Sequence, residues 1–136
     1  MGDPEYKNID LDIIGIPWSS KTEVMEISSF DIGIMPLPDD QWTKGKCGFK
    51  GLSYMALQIP TIMSPIGVNT EIIQHGINGF LAKSEQEWID TISKLVDSTA
   101  LRKALGEEGR KTVEKFYSVE SQKNNYLTAF DTVLKR

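Results

Sequence analysis

KGKCGFKGLSYMALQIPTIMSPIGVNTE, residues 44–71, decides how the rest of the chain is read. Gly45, Gly48 and Gly51 recur every third residue, with Lys46 and Lys50 among them, where an extended segment must turn helical. Glycine lets backbone approach a ligand closely, and a helix amino end adds unpaired N–H groups to the charge of the lysines. Phe49, Leu52, Tyr54, Met55, Ala56 and Leu57 make the following helix apolar on most sides, so it lies against a sheet with little water contact. Gln58, Ile59 and Pro60 end it. Residues 61–63 are a strand too short and too apolar for a sheet edge, and Ser64, Pro65 and Gly67 loop into a helix over 68–74. Two helix amino ends thus follow the carboxyl ends of two neighbouring strands, where open α/β sheets hold phosphorylated ligands.

Upstream, Leu11, Ile13, Ile14 and Ile16 read as a parallel, buried strand closed by Gly15, Pro17 and Trp18. Ser20 with Glu23 fits a capping box for a helix through Val24, Met25 and Ile27. Residues 31–36 are a second strand, and 37–43 a loop holding Pro38, Asp39, Asp40 and Trp42. Downstream, His75 and Gly76 mark a helix carboxyl cap, and Asn78-Gly79 a tight turn before Phe80 and Leu81. Ser84 with Glu87 spells another capping box, and Trp88, Ile92, Leu95 and Val96 repeat on one helical face. Another helix over 98–117 buries Leu101, Ala104, Leu105, Val113 and Phe116, with a weak point at Gly106 or Gly109. A last helix carries Tyr126, Ala129, Phe130 and Val133. The expected fold is one α/β domain over 1–136: a Rossmann-like, three-layer α/β/α parallel sheet over 11–82, with additional carboxyl-terminal helices over 84–136.

The 136 residues suffice for a core, and a net charge of -4 argues against a broad nucleic-acid surface. The single cysteine, Cys47, makes no internal disulfide, which fits a reducing compartment. No apolar run reaches the roughly 20 residues of a membrane span, so the chain reads as cytoplasmic. Asp10-Leu11-Asp12 and Asp39-Asp40 are weak metal signals, and one histidine, His75, builds neither a triad nor a histidine cluster. Neither a P-loop nor a GxGxxG fingerprint is present.

The runs DIGIMPLPDD, GKCGFKGLSYMA, IPTIMSPIGVNTEII and GINGFLA, in that order, resemble the carboxyl-terminal half of a GT-B glycosyltransferase of group 1, over residues 11–117. Gly2-Asp3-Pro4 resembles the end of that half's first strand. The resemblance implies a domain that binds a nucleotide diphosphate sugar, with the acceptor held by a separate amino-terminal half. It implies sugar transfer to a hydroxyl without a metal or any cofactor beyond the donor. Lys46, Gly48, Phe49 and Lys50, with Gly67, Val68 and Asn69, are the donor-binding candidates, and Ser53 and Glu71 are secondary ones. Glu71 reads first as a helix-dipole partner and only second as a ligand contact.

One departure is chemical. Many group 1 enzymes carry two glutamates separated by seven residues, and here Gly45 and Ser53 stand in those places. A serine offers a hydrogen bond but not a charged bidentate acceptor for a ribose diol. The family's basic pair for the diphosphate lies upstream of residue 1, so the isolated chain is expected to be inactive. Left open are a nucleotide-binding or partner-docking module without transferase chemistry, and a GT-B-like sugar-nucleotide epimerase. An uncovered interdomain face leaves room for dimerisation, and peripheral membrane contact through a full-length enzyme is also open.

Overall fold

The computed structural model describes residues 4 to 134, so the reading of Gly2 and Asp3 as a strand end lies outside the described residues. Strands β1 (Gly33–Met35), β2 (Thr61–Met63) and β3 (Phe80–Leu81) form one parallel sheet in the order β1-β2-β3. Gly33 pairs with Thr61, Met35 with Met63, and Met63 with Leu81. Parallel neighbours require crossovers. The first contains α2 (Gln41–Lys44) and α3 (Phe49–Ala56), and the second α4 (Asn69–Ile72). Helix α1 (Glu23–Ser28) precedes the sheet, and α5 (Glu85–Asp97), α6 (Thr99–Phe116) and α7 (Val119–Leu134) follow it.

Successive strand residues point to opposite faces, and this pleat divides the core in two. Met35 and Met63 join Met55 of α3 with Ile72 and Ile73, while Ile62, Phe80 and Ala82 join Leu95 of α5 and Leu105 of α6. Helices therefore cover both faces of a parallel sheet, the three-layer α/β/α arrangement. A third cluster, Ile27, Tyr54 and Ile59, seats α1 on α3. Helix α6 meets the second cluster through Leu101 and Leu105 and reaches the first through Val113.

Several expectations are corrected. Residues 11–16 form no strand: Leu11, Ile13 and Ile14 are exposed, Ile14 at 82%. A segment with four aliphatic residues in six still needs a sheet edge to pair with, and β1 pairs only with β2 among the described residues. The Ser20–Glu23 capping box does not form. The N–H groups of Thr22 and Glu23 instead donate to the Ser19 carbonyl, and α1 starts after Thr22 without a side-chain cap, leaving Val24 and Met25 exposed. Residues 37–43 are not all loop: Asp40 caps α2, accepting the Thr43 N–H at 2.7 Å while Thr43 Oγ1 accepts the Asp40 N–H.

Helix α4 ends at Ile72 with Ile73 as its cap, not His75 or Gly76. His75 Nδ1 instead accepts the Leu81 N–H, and Gly76 turns the chain at φ 80°. The turn is held by Asn78, whose Nδ2 donates to the Ile72 carbonyl and to Thr112 Oγ1 of α6. The Ser84–Glu87 capping box forms as spelled. Val96 is exposed, as are Ala104 and Phe116 of α6. Gly106 and Gly109 do not break α6, because both are buried where the helix crosses the end of α3. Helix α7 has no buried residue, and Tyr126 and Phe130 stand exposed on it.

Candidate functional site

A hollow of about 650 Å³ opens at the carboxyl end of β1. Ile34, Met35, Pro36 and Leu37 make one wall, and residues 45–50, with Lys46, Gly48, Phe49 and Lys50 among them, make the other. Gly48 is the amino cap of α3 at φ 69°, a left-handed conformation that glycine adopts without strain, and no side chain caps the helix. The first turn of α3 therefore borders the hollow and its first N–H groups have no capping side chain, a setting suited to an anion.

The charges beside this helix end are unequal. Lys44 pairs with Asp39 at 2.9 Å, and that carboxylate raises the Lys44 pKa. Lys46 and Lys50 make no salt bridge among the described residues, although the Lys46 charge is near enough to Asp40 to help lower that carboxyl's pKa. The Asp40 carboxylate is held below its ordinary pKa chiefly by the Thr43 backbone N–H, and it fixes the turn that delivers Gly45 and Lys46.

The second turn lies at the same end of the sheet but behind the first. A Cβ on Gly67, at φ 55°, would stand 2.7 Å from the Lys44 carbonyl oxygen. A Cβ on Gly48 would collide with Ile72 Cδ1 and meet Val68 Cγ1 and Asn69 Oδ1 at 3.4 Å. Gly67, Val68 and Asn69 thus brace residues 44–48 from the rear and do not line the hollow. Gly51 packs on Met63, so the third glycine of the series serves the core.

Ser53 and Glu71 are placed elsewhere. Ser53 Oγ donates to the Phe49 carbonyl at 2.9 Å, and the residue borders a small hollow of about 80 Å³ with Trp18, Glu23 and Phe30. Phe49 and Lys50 form the ridge between the two hollows. Glu71 is exposed and borders a separate hollow with Gln74, Thr112 and Tyr117, where burial first and Glu71 second raise the Tyr117 pKa. Sequence reasoning missed the wall at Ile34, Pro36 and Leu37 and the cap on α2. Asp40 with Thr43 three residues later spelled that cap, while nothing local marked the wall. Among the described residues no group of three or more His, Cys, Asp or Glu side chains could hold a metal ion.

A parallel sheet with helices on both faces defines a Rossmann-like α/β domain. The model of the family of glycosyl transferases group 1 matches residues 37–112, more than half of the chain, and the chain belongs to that family. The fold is similar to the carboxyl-terminal domain of a glycosyl transferase group 1 family protein, LpcC, from Francisella tularensis. That match has 23% identity and a TM-score of 0.67 over 78% of this chain and 53% of that one. It is also similar to a mutant of Staphylococcus aureus TarM in complex with fondaparinux, α-GlcNAc-glycerol and UDP, at 20% identity and TM-score 0.64. There 82% of this chain matches and 22% of the other. The chain thus spans about half the length of the first relative and about a fifth of the second. Among the described residues no helix is long and apolar enough to cross a membrane.

Proposed function

We propose that this domain is the donor-binding half of a glycosyltransferase that moves a sugar from a nucleotide diphosphate sugar to an acceptor hydroxyl. The observation that carries the reading is the cleft at residues 45–50, where the start of α3, without a side-chain cap, lies beside two lysines that make no salt bridge among the described residues. As the glycosidic bond to the donor breaks, negative charge collects on the diphosphate. Fixed N–H groups and ammonium groups stabilise that charge without a metal. Lys46, Gly48, Phe49 and Lys50 take the diphosphate. Gly67, Val68 and Asn69 serve the same site from behind by holding the loop in shape. Ser53 reaches the donor only by exchanging its bond to the Phe49 carbonyl, and Glu71 acts as a helix-dipole partner.

The apolar wall of Ile34, Pro36 and Leu37 gives the flat, less polar part of a nucleotide a surface to lie on. The exposed Cys47 thiol inside the cleft fits a reducing, cytoplasmic setting. The uncovered apolar residues of α7, Tyr126 and Phe130 among them, fit a helix that packs on an amino-terminal acceptor half in a longer protein. A second reading rests on Gly45 and Ser53: with no carboxylate at either place, the cleft can hold a nucleotide while supporting no transfer.

Titration of the isotope-labelled domain with UDP, GDP and ADP tests the reading. The expected result is amide shifts at residues 34–37 and 45–50 with a Kd on the order of 1 mM, about -4 kcal/mol, because half of the cleft is supplied by another domain. No perturbation at saturating nucleotide overturns both readings. Binding of free nucleotide without transfer by the longer protein leaves only the second.

A further inference from the structure

The two walls of the cleft are joined by a chain of hydrogen bonds and one packing contact that begins at Ser64, the residue after β2. Its Oγ accepts the Leu37 N–H at 2.9 Å, and its own N–H donates to the Met35 carbonyl at 3.2 Å. Its carbonyl accepts Asn69 Nδ2 at 3.0 Å. Asn69 then abuts Gly48, with Oδ1 3.4 Å from where a Cβ on that glycine would be. Ser64 and Asn69 are both buried, Asn69 at 1% exposure. Leu37 belongs to one wall and Gly48 to the other.

We infer that Ser64 and Asn69 are positioning residues that set the separation between the cleft's walls, through hydrogen bonds to Leu37 and packing on Gly48. Leu37 lies beyond the end of β1, so its N–H has no ladder partner and depends on the serine hydroxyl. A half-buried donor left unpaired would draw the 36–38 backbone toward water. Asn69 needs an amide at this place: Nδ2 must donate to a carbonyl, which a carboxylate of the same shape cannot do. Neither side chain lines the hollow, so their influence on a ligand runs through the walls they hold. What the cleft binds rests on the donor reading above; the positioning itself does not.

The test uses Ser64→Ala, which removes one oxygen, and Asn69→Ala, with amide exchange and chemical shifts recorded without ligand before UDP titration. All data are taken at a temperature where circular dichroism shows each protein fully folded. In Ser64→Ala the Leu37 amide should exchange about tenfold faster, the loss expected of one hydrogen bond, and in Asn69→Ala the amides of residues 45–50 should shift. The UDP Kd should rise about fivefold. A role confined to stability lowers the melting temperature and leaves the Kd unchanged, and that result overturns the inference. So do unaltered Leu37 exchange or unmoved signals at residues 45–50. If Asn69→Ala does not fold, Ser64→Ala decides alone. If the unmodified domain binds no UDP, the donor reading falls, and the ligand-free exchange and shifts still decide whether these two side chains hold the walls.

Discussion

The Gln58 carbonyl oxygen occupies the space that a Cβ on Gly106 would need, so α6 crosses the end of α3 with no room for a methyl group. Gln58 itself adopts a positive φ of 60°, which turns the chain out of α3 and aims its carbonyl at the glycine. In an exposed helix, alanine for glycine gains about 1 kcal/mol. Here the sign reverses. Gly106→Ala should cost about 1–3 kcal/mol through overpacking against backbone that cannot rotate away, read as a lower urea midpoint with an unchanged slope. A stabilised variant would mean that α6 and the Gln58 turn are not packed this closely.

Asn78 ties the second crossover to α6. Its Oδ1 accepts the Gln74 N–H at 2.8 Å, and its Nδ2 serves the Ile72 carbonyl and Thr112 Oγ1, each at 3.0 Å. Truncation would leave buried backbone groups without partners, so Asn78→Ala should lose about 2–3 kcal/mol by chemical denaturation. Thr112→Val removes only one of the three bonds and should lose about 1 kcal/mol. Equal losses in the two variants would show that the contact with α6 alone accounts for the effect.

How much of this was legible depended on whether the relevant partner was near in sequence. The strand at residues 61–63 and the Ser84–Glu87 cap were readable because apolar identity or a three-residue spacing states them outright. The supposed strand at residues 11–16 carried an apolar signal as clear as that of β2, yet strand formation depends on an edge elsewhere in the chain. Gly106 or Gly109 reads as a weak point because propensity counts a glycine's cost without seeing the backbone packed against it. The cleft was half legible: residues 45–50 announced a backbone-lined loop, whereas the opposite wall at Ile34, Pro36 and Leu37 reads locally as plain strand and turn. The small residues at 64–67 locate the second turn at the carboxyl end of β2, and only the contact with Lys44 shows Gly67 bracing the first loop from behind.

Two helix caps give the domain an acid-sensitive component. Asp40 accepts the Thr43 N–H, and Glu87 accepts the N–H groups of Ser84 and Lys83, and these bonds hold both carboxyls below their ordinary values of about 3.8 and 4.5. A folded-state pKa below the unfolded one means that the unfolded chain binds more protons through this range, so stability rises with pH. The contribution is complete above the unfolded values and disappears as pH falls through the folded ones. Melting temperatures between about pH 5 and pH 3 should therefore decline, and Glu87→Gln should flatten that decline while Glu85→Gln should not. Glu85 is the control because it lies in the same first turn of α5 without closing the capping box.

The lysines at the cleft separate by what already holds them. Lys44 is paired with Asp39, whereas Lys46 and Lys50 make no salt bridge among the described residues, although the three lie within seven positions of one another. If the hollow takes a diphosphate, charge removal at Lys46 or Lys50 should weaken UDP binding about three- to tenfold in low salt, and Lys44→Ala should change it little. The difference should shrink toward 0.15 M salt, where the Debye length falls to about 8 Å. Uridine lacks the diphosphate, so its binding should not respond to any of the three substitutions. Calorimetric or shift titrations of the four proteins with both ligands check this. Equal losses from Lys44→Ala and Lys46→Ala, or equal losses for UDP and uridine, would reduce the lysines to a general field and remove the diphosphate from this end of α3.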